Sequence, residues 1–295
     1  MNIANVGGVK RPSLRVILAV ALFLTATMAR ANSDTPIGIA DDVPGHPGST
    51  YLDLIKQIVP DLSPSDTGAS GHRVQPFQNI AGHDFEGDPP DPLEVANVEP
   101  LVIEADGKRR LLVLADFGAT PDRVDDETVL GLFDDSPQPR LLDYKEVALD
   151  RFTGFSIPPT VRIGAHDEAI AVWSNHSNSS QSYEPSVLLF VRHDKLAFID
   201  SFFAFGETEC NFRQDEALSF KAMPGSGSPY WSFTARILRT TGRTKGDDCP
   251  DPTPSETIRK TFSATYSWNA KLEKFTTRSQ QLRDLAKADG ALNEQ

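Results

Sequence analysis

A chain of 295 residues with 41 Asp and Glu against 29 Lys and Arg carries a formal net charge of −12 at pH 7. That balance excludes a general affinity for nucleic acid or anionic membrane surfaces, because phosphate recognition needs clustered Lys and Arg. The length and a 39% hydrophobic content suffice for one large domain or two small ones, with a core that needs no staples.

The first thirty residues read as a processing segment. Lys10, Arg11 and Arg15 form a basic region, Val16 to Leu24 is an apolar run of nine residues, and Ala29-Arg30-Ala31 has the small-x-small form of a cleavage site. The run is too short to cross a bilayer as a stable helix. The pattern predicts a secretory signal over residues 1–31, a mature start near Asn32, and a secreted or periplasmic chain without a transmembrane anchor after cleavage. A retained N-terminal anchor is the plain alternative. Without residues 1–31 the chain has 264 residues and a net charge of −16. In an exported chain Cys210 and Cys249 are expected to form one disulfide, closing a loop of roughly forty residues and contributing about 3–4 kcal/mol.

Residues 32–96 form a polar, acidic N-terminal segment. Within it Tyr51, Leu54, Ile55 and Ile58 recur at helical spacing, predicting a short helix over 50–59 with Ser49 as N-cap and Pro60 as stop. Asp61 to Gly71 reads as a linker, and His83 to Pro100, acidic and rich in Pro, as an extended loop. Ordered β structure is expected from about Val98, in a β domain over 97–277. Leu101 to Leu114 holds Asp106-Gly107 between apolar runs, the signature of a type I′ hairpin whose two central positions want positive φ.

The centre of the pattern is Arg162 to Phe205, three apolar segments separated by a polar loop (Ser174–Ser186) and a short charged turn (Arg192–Lys195). A similar arrangement precedes it: Leu132-Phe133 lies 57 residues before Leu189-Phe190, and Leu142-Asp143 the same 57 before Ile199-Asp200. A fainter copy follows in Trp231–Leu238, Thr261–Trp268 and Leu272–Thr276. The prediction is a mostly β protein, antiparallel meanders of about a dozen strands, arranged as propeller-like blades or a large sandwich. The alternative to true repetition is that meanders resemble one another by necessity. Residues 278–295 are expected to form a short C-terminal helix, ended by Gly290, and a tail.

Candidate chemistry is sparse. His83-Asp84, His166-Asp167 and His193-Asp194 are sequential pairs, and neighbours on a strand point to opposite faces, so they read as solvated turn residues. Asp84, Glu86, Asp88 and Asp91 resemble the start of a calcium loop, but Pro89 stands where the sharp turn needs Gly. Gly68-Ala-Ser-Gly71 and Gly225-Ser-Gly-Ser228 lack the Gly-x-Ser-x-Gly pattern and read as flexible turns. No metal, nucleotide or redox fingerprint occurs, so no cofactor, metal or catalytic residue is assigned. The most unusual segment runs from Ser174 to Tyr183. There Trp173, Asn175, His176 and Tyr183 offer donors, acceptors and stacking faces of the kind that bind sugars or peptides, against the ordinary reading of a solvated loop. Two functions follow: a non-enzymatic exported module binding an envelope or extracellular protein or glycan, or a secreted hydrolase of such material using carboxylates from different strands.

Overall fold

The computed structural model describes residues 36–82, 91–119, 126–243 and 256–293. Residues 1–31, expected as a secretory signal, lie outside the described residues, as do His83, Asp84, Glu86, Asp88 and Cys249.

The described chain opens with β1 (Ile37–Gly38) and α1 (Tyr51–Ile55). The helix spans five residues, and its N-cap is Thr50 rather than Ser49. The Thr50 hydroxyl accepts from the Asp53 amide at 3.2 Å, and the Asp53 carboxylate accepts from the Thr50 amide at 2.9 Å, a reciprocal capping box. Tyr51, Leu54, Ile55, Ile58 and Val59 are nevertheless all buried in one cluster. The stretch expected as a linker contains strands: β2 (Ser63–Ser65) and β3 (Gly68–Gly71) pair with each other and with β4 (Leu93–Val95). The glycine at 68 belongs there because of close approach. A Cβ on it would lie 2.4 Å from the Val95 carbonyl oxygen, and its φ is +144°.

β5 (Asn97–Ala105), β6 (Lys108–Ala119), β7 (Asp126–Asp134) and β8 (Leu141–Glu146) form an antiparallel sheet with β1 at its edge. Asp106 and Gly107 join β5 to β6 with φ of 50° and 68°, the two-residue turn expected. Pro100 is accommodated in β5 because β1 pairs only with Asn97 and Val98, so no strand needs a hydrogen bond from position 100 on that side.

A second meander contains β9 (Gly154–Arg162), β10 (Glu168–Trp173), β11 (His176–Ser177), β12 (Gln181–Arg192) and β13 (Lys195–Glu209). A third contains β14 (Phe212–Met223), β15 (Ser232–Arg243), β16 (Glu256–Asn269) and β17 (Lys274–Thr276). The two share one sheet through a narrow seam: β13 and β14 pair only at Glu207–Glu209 with Phe212–Gln214.

The apolar runs are explained by burial on both faces. On β6, Leu111, Val113 and Ala115 face the cluster that includes α1, whereas Leu112 and Leu114 face Val187, Leu189 and Val191 of β12. On the other side of β12, Leu188 and Phe190 meet Phe233, Tyr266 and Phe275 of the third meander. Three meanders are thus layered, with one core between the first and second and another between the second and third. Leu132 of β7 and Leu189 of β12 both enter the first of these cores. The described residues end in α2 (Gln281–Asn293), which runs through Gly290 instead of stopping there. Leu282, Leu285 and Asp289, spaced along one helical face, are all buried.

Candidate functional site

The cleft formed beside β11, β12, β13 and α2 has a volume of about 600 Å³. It is built from the polar segment after Trp173. Ser174 is buried, its hydroxyl accepting from the Leu149 amide at 3.1 Å and lying 2.8 Å from the Thr153 hydroxyl. The Asn175 amide donates to the Arg151 carbonyl at 2.7 Å. These bonds fasten the start of the segment to the Val147–Thr153 connection and bring Asp150 beneath it.

From there the chain turns back as a small hairpin, closed where the Asn178 amide and the Gln181 carbonyl bond at 3.0 Å. His176 and Tyr183 are direct cross-strand partners, so their rings meet face to face with centroids 4.4 Å apart and planes at 13°. His176 Nδ1 is bonded to the Asp150 carboxylate, which is almost fully buried and also accepts from the Arg151 amide at 2.8 Å. An ionised carboxylate can only accept, so Nδ1 donates and Nε2 is the nitrogen left for other partners.

The opposite wall centres on Asp200 of β13. Its carboxylate accepts from the Tyr266 hydroxyl at 2.6 Å and lies 3.5 Å from the Arg283 guanidinium of α2. Burial first, and then the Asp200 carboxylate, raise the Tyr266 phenol well above its ordinary range, so it stays a donor. Phe202, Phe203, Pro185 and Leu282 add apolar surface between these polar groups.

The candidate ligand residues therefore separate. His176 and Tyr183 line the cleft. Trp173 is half-buried and donates from Nε1 to the Phe155 carbonyl at 3.2 Å, a bond between β10 and β9. Asn175 is absent from the cleft lining and is held through its backbone. Asp150, Asp200, Tyr266 and Arg283 had no local signal in the sequence. Of the sequential His-Asp pairs, the two within the described residues diverge instead: His166 Nδ1 lies 2.7 Å from Glu104, Asp167 accepts from the Asp106 amide at 2.9 Å, and Asp194 pairs with Arg110. His193 and Asp194 form the β12–β13 turn, with φ of 51° and 58°.

No family model, curated protein or solved structure matches this chain.

Among the described residues no three His, Cys, Asp or Glu side chains gather as a metal set. Asp91, the fourth of the acids weighed as a calcium set, lies 4.0 Å from His72 Nε2. Among the described residues no cysteine is a free thiol.

Proposed function

We propose that the protein is an exported, non-enzymatic β-scaffold module that binds an envelope or extracellular partner, protein or glycan, in the cleft beside the β11–β12 hairpin. The observation that supports this is the commitment of the polar groups there to protein partners. Asp150 is bonded to His176, and Asp200 to Tyr266 and Arg283. Groups so fixed orient a ligand against the apolar surface, and Tyr183 is held rigid by its stack on His176. Export rests on the N-terminal pattern, and a Cys210–Cys249 disulfide is part of the same reading.

A glycan and peptide array probed with the mature protein tests the reading. Tyr183→Ala should weaken any ligand found by at least about tenfold, the loss expected for a stacking contact of about 1.4 kcal/mol. Asn175→Ala should leave it unchanged. Equal affinity for wild type and Tyr183→Ala would remove the cleft from the function.

Hydrolysis is the second reading, favoured by the fact that Asp150 and Asp200 come from different elements yet line one cleft. Turnover of envelope polysaccharide or peptide that disappears in both Asp150→Asn and Asp200→Asn would select it over binding.

A further inference from the structure

The third meander carries charge of the opposite sign to the chain as a whole. β14, β15 and β16 hold seven Lys and Arg against three Asp and Glu, in a protein of net charge −12. Alternation along these strands divides them between faces. Phe233, Ala235 and Ile237 of β15 and Ala264 and Tyr266 of β16 point into the core, so their neighbours point outward.

On the outward face Lys221, Arg236 and Arg259 are exposed, among Ser219, Thr234, Thr240, Ser263 and Thr265. Register places them together: Arg236 lies between Ser219 of β14 and Ser263 of β16. Lys221 is then roughly 7 Å farther along β14 from the Arg236 row, and Arg259 roughly 13 Å along β16 in the other direction. Arg213 is neutralised by Asp215 at 2.8 Å, and Arg239 is turned inward to Glu216 and Asp289. Lys221, Arg236 and Arg259 belong to no ion pair among the described residues. The hydroxyls also bond to one another, Ser232 with Ser267 at 2.8 Å and Thr234 with Thr265 at 3.1 Å, across β15 and β16.

We propose that this sheet face binds an anionic polysaccharide, laid across the three strands, independently of the cleft. Three separated cations match charges repeated along a polymer better than a single anion, which would need convergent donors. Hydroxyl-bearing side chains between the cations can exchange hydrogen bonds with sugar hydroxyls. The acidic remainder of the chain does not cancel the patch, since at physiological salt fields are screened beyond about 8 Å.

The test is titration of the mature protein with dextran sulfate and with polygalacturonate, with neutral dextran as control, over a salt series. At least one of the two polyanions should bind and the neutral polymer should not. In the triple variant Lys221→Gln, Arg236→Gln, Arg259→Gln, the slope of log affinity against log salt should fall by about two, as contacts that release counterions are removed. All three positions are exposed, and an unchanged melting temperature would show that the variant is folded. Binding of neither polyanion, or equal binding by wild type and variant, overturns the proposal. So does concentration-dependent self-association lost in the variant, which would give the face to acidic surface of a second copy.

Discussion

Arg239 of β15 reaches across to Asp289 of α2, whose side chain is fully buried, and the same guanidinium holds Glu216 of β14 at 2.5 Å. One cation therefore serves two buried carboxylates and fastens the C-terminal helix to the third meander.

That imbalance makes the three positions unequal. Arg239→Met would strand two buried carboxylates and should cost about 3–5 kcal/mol, read as a shift of the urea midpoint. Asp289→Asn leaves a neutral Glu216–Arg239 pair and should cost less than about 1.5 kcal/mol. Equal losses in the two variants would show that the helix is held by Leu282 and Leu285 rather than by charge.

Burial raises the carboxyls of both Glu216 and Asp289 above their ordinary values, with Arg239 opposing it. A carboxyl whose pKa is higher in the folded chain than in the unfolded one binds its proton more readily when folded. Its unfavourable contribution is absent below the unfolded value near 4.5 for Glu216, grows as pH rises, and is complete above the raised folded value. Glu216→Gln should therefore gain in melting temperature relative to wild type as pH is raised from 4 to 8. The amide oxygen of Gln can still accept from the Phe205 amide, a bond of 3.2 Å in the native chain. A difference that stays constant across that range would refute the assignment.

Gly131 lies where a Cβ would come within 2.7 Å of the Phe133 ring and 3.1 Å of Ile58 Cδ1. Gly131→Ala should destabilise the protein by about 1–3 kcal/mol through overpacking of the core under α1. In the core between the second and third meanders, Phe190 stands edge-on to Tyr230, Phe275 and Trp268 at 5.4 to 6.1 Å, and Phe190→Ala should cost about 3–5 kcal/mol. Calorimetry on both variants separates the two cores.

Non-reducing peptide mapping should recover Cys210 and Cys249 in one linked fragment. Reduction should then lower unfolding stability by about 3–4 kcal/mol if loop entropy dominates. Free thiols at both positions in secreted material would exclude the link.

Much of the fold was legible because burial on both faces leaves a plain record. Leu111–Ala115, Val129–Phe133 and Val187–Val191 are unbroken apolar runs since each strand is sandwiched between two cores. Asp106-Gly107 was legible because its turn demands positive φ from both residues. β3 was hidden for the opposite reason. Its glycines, which read as linker composition, permit close approach, Gly68 to Val95 and Gly71 to Leu62. At the cleft, His176 and Tyr183 could be named because they are close in sequence and chemically unusual. Asp150 and Asp200 could not, since their partners stand 26 and 66 residues away. Trp173 looked equally suited to ligands, but its ring nitrogen is committed to the neighbouring strand.

The three-position ladder between β13 and β14 leaves the second and third meanders joined more by packed aromatic rings than by shared peptide hydrogen bonds. Such a seam responds to cooling differently from a ladder, because apolar attraction weakens in the cold while backbone bonds persist. On cooling, the contact between these two layers should therefore lose stability sooner than the strand ladders within them.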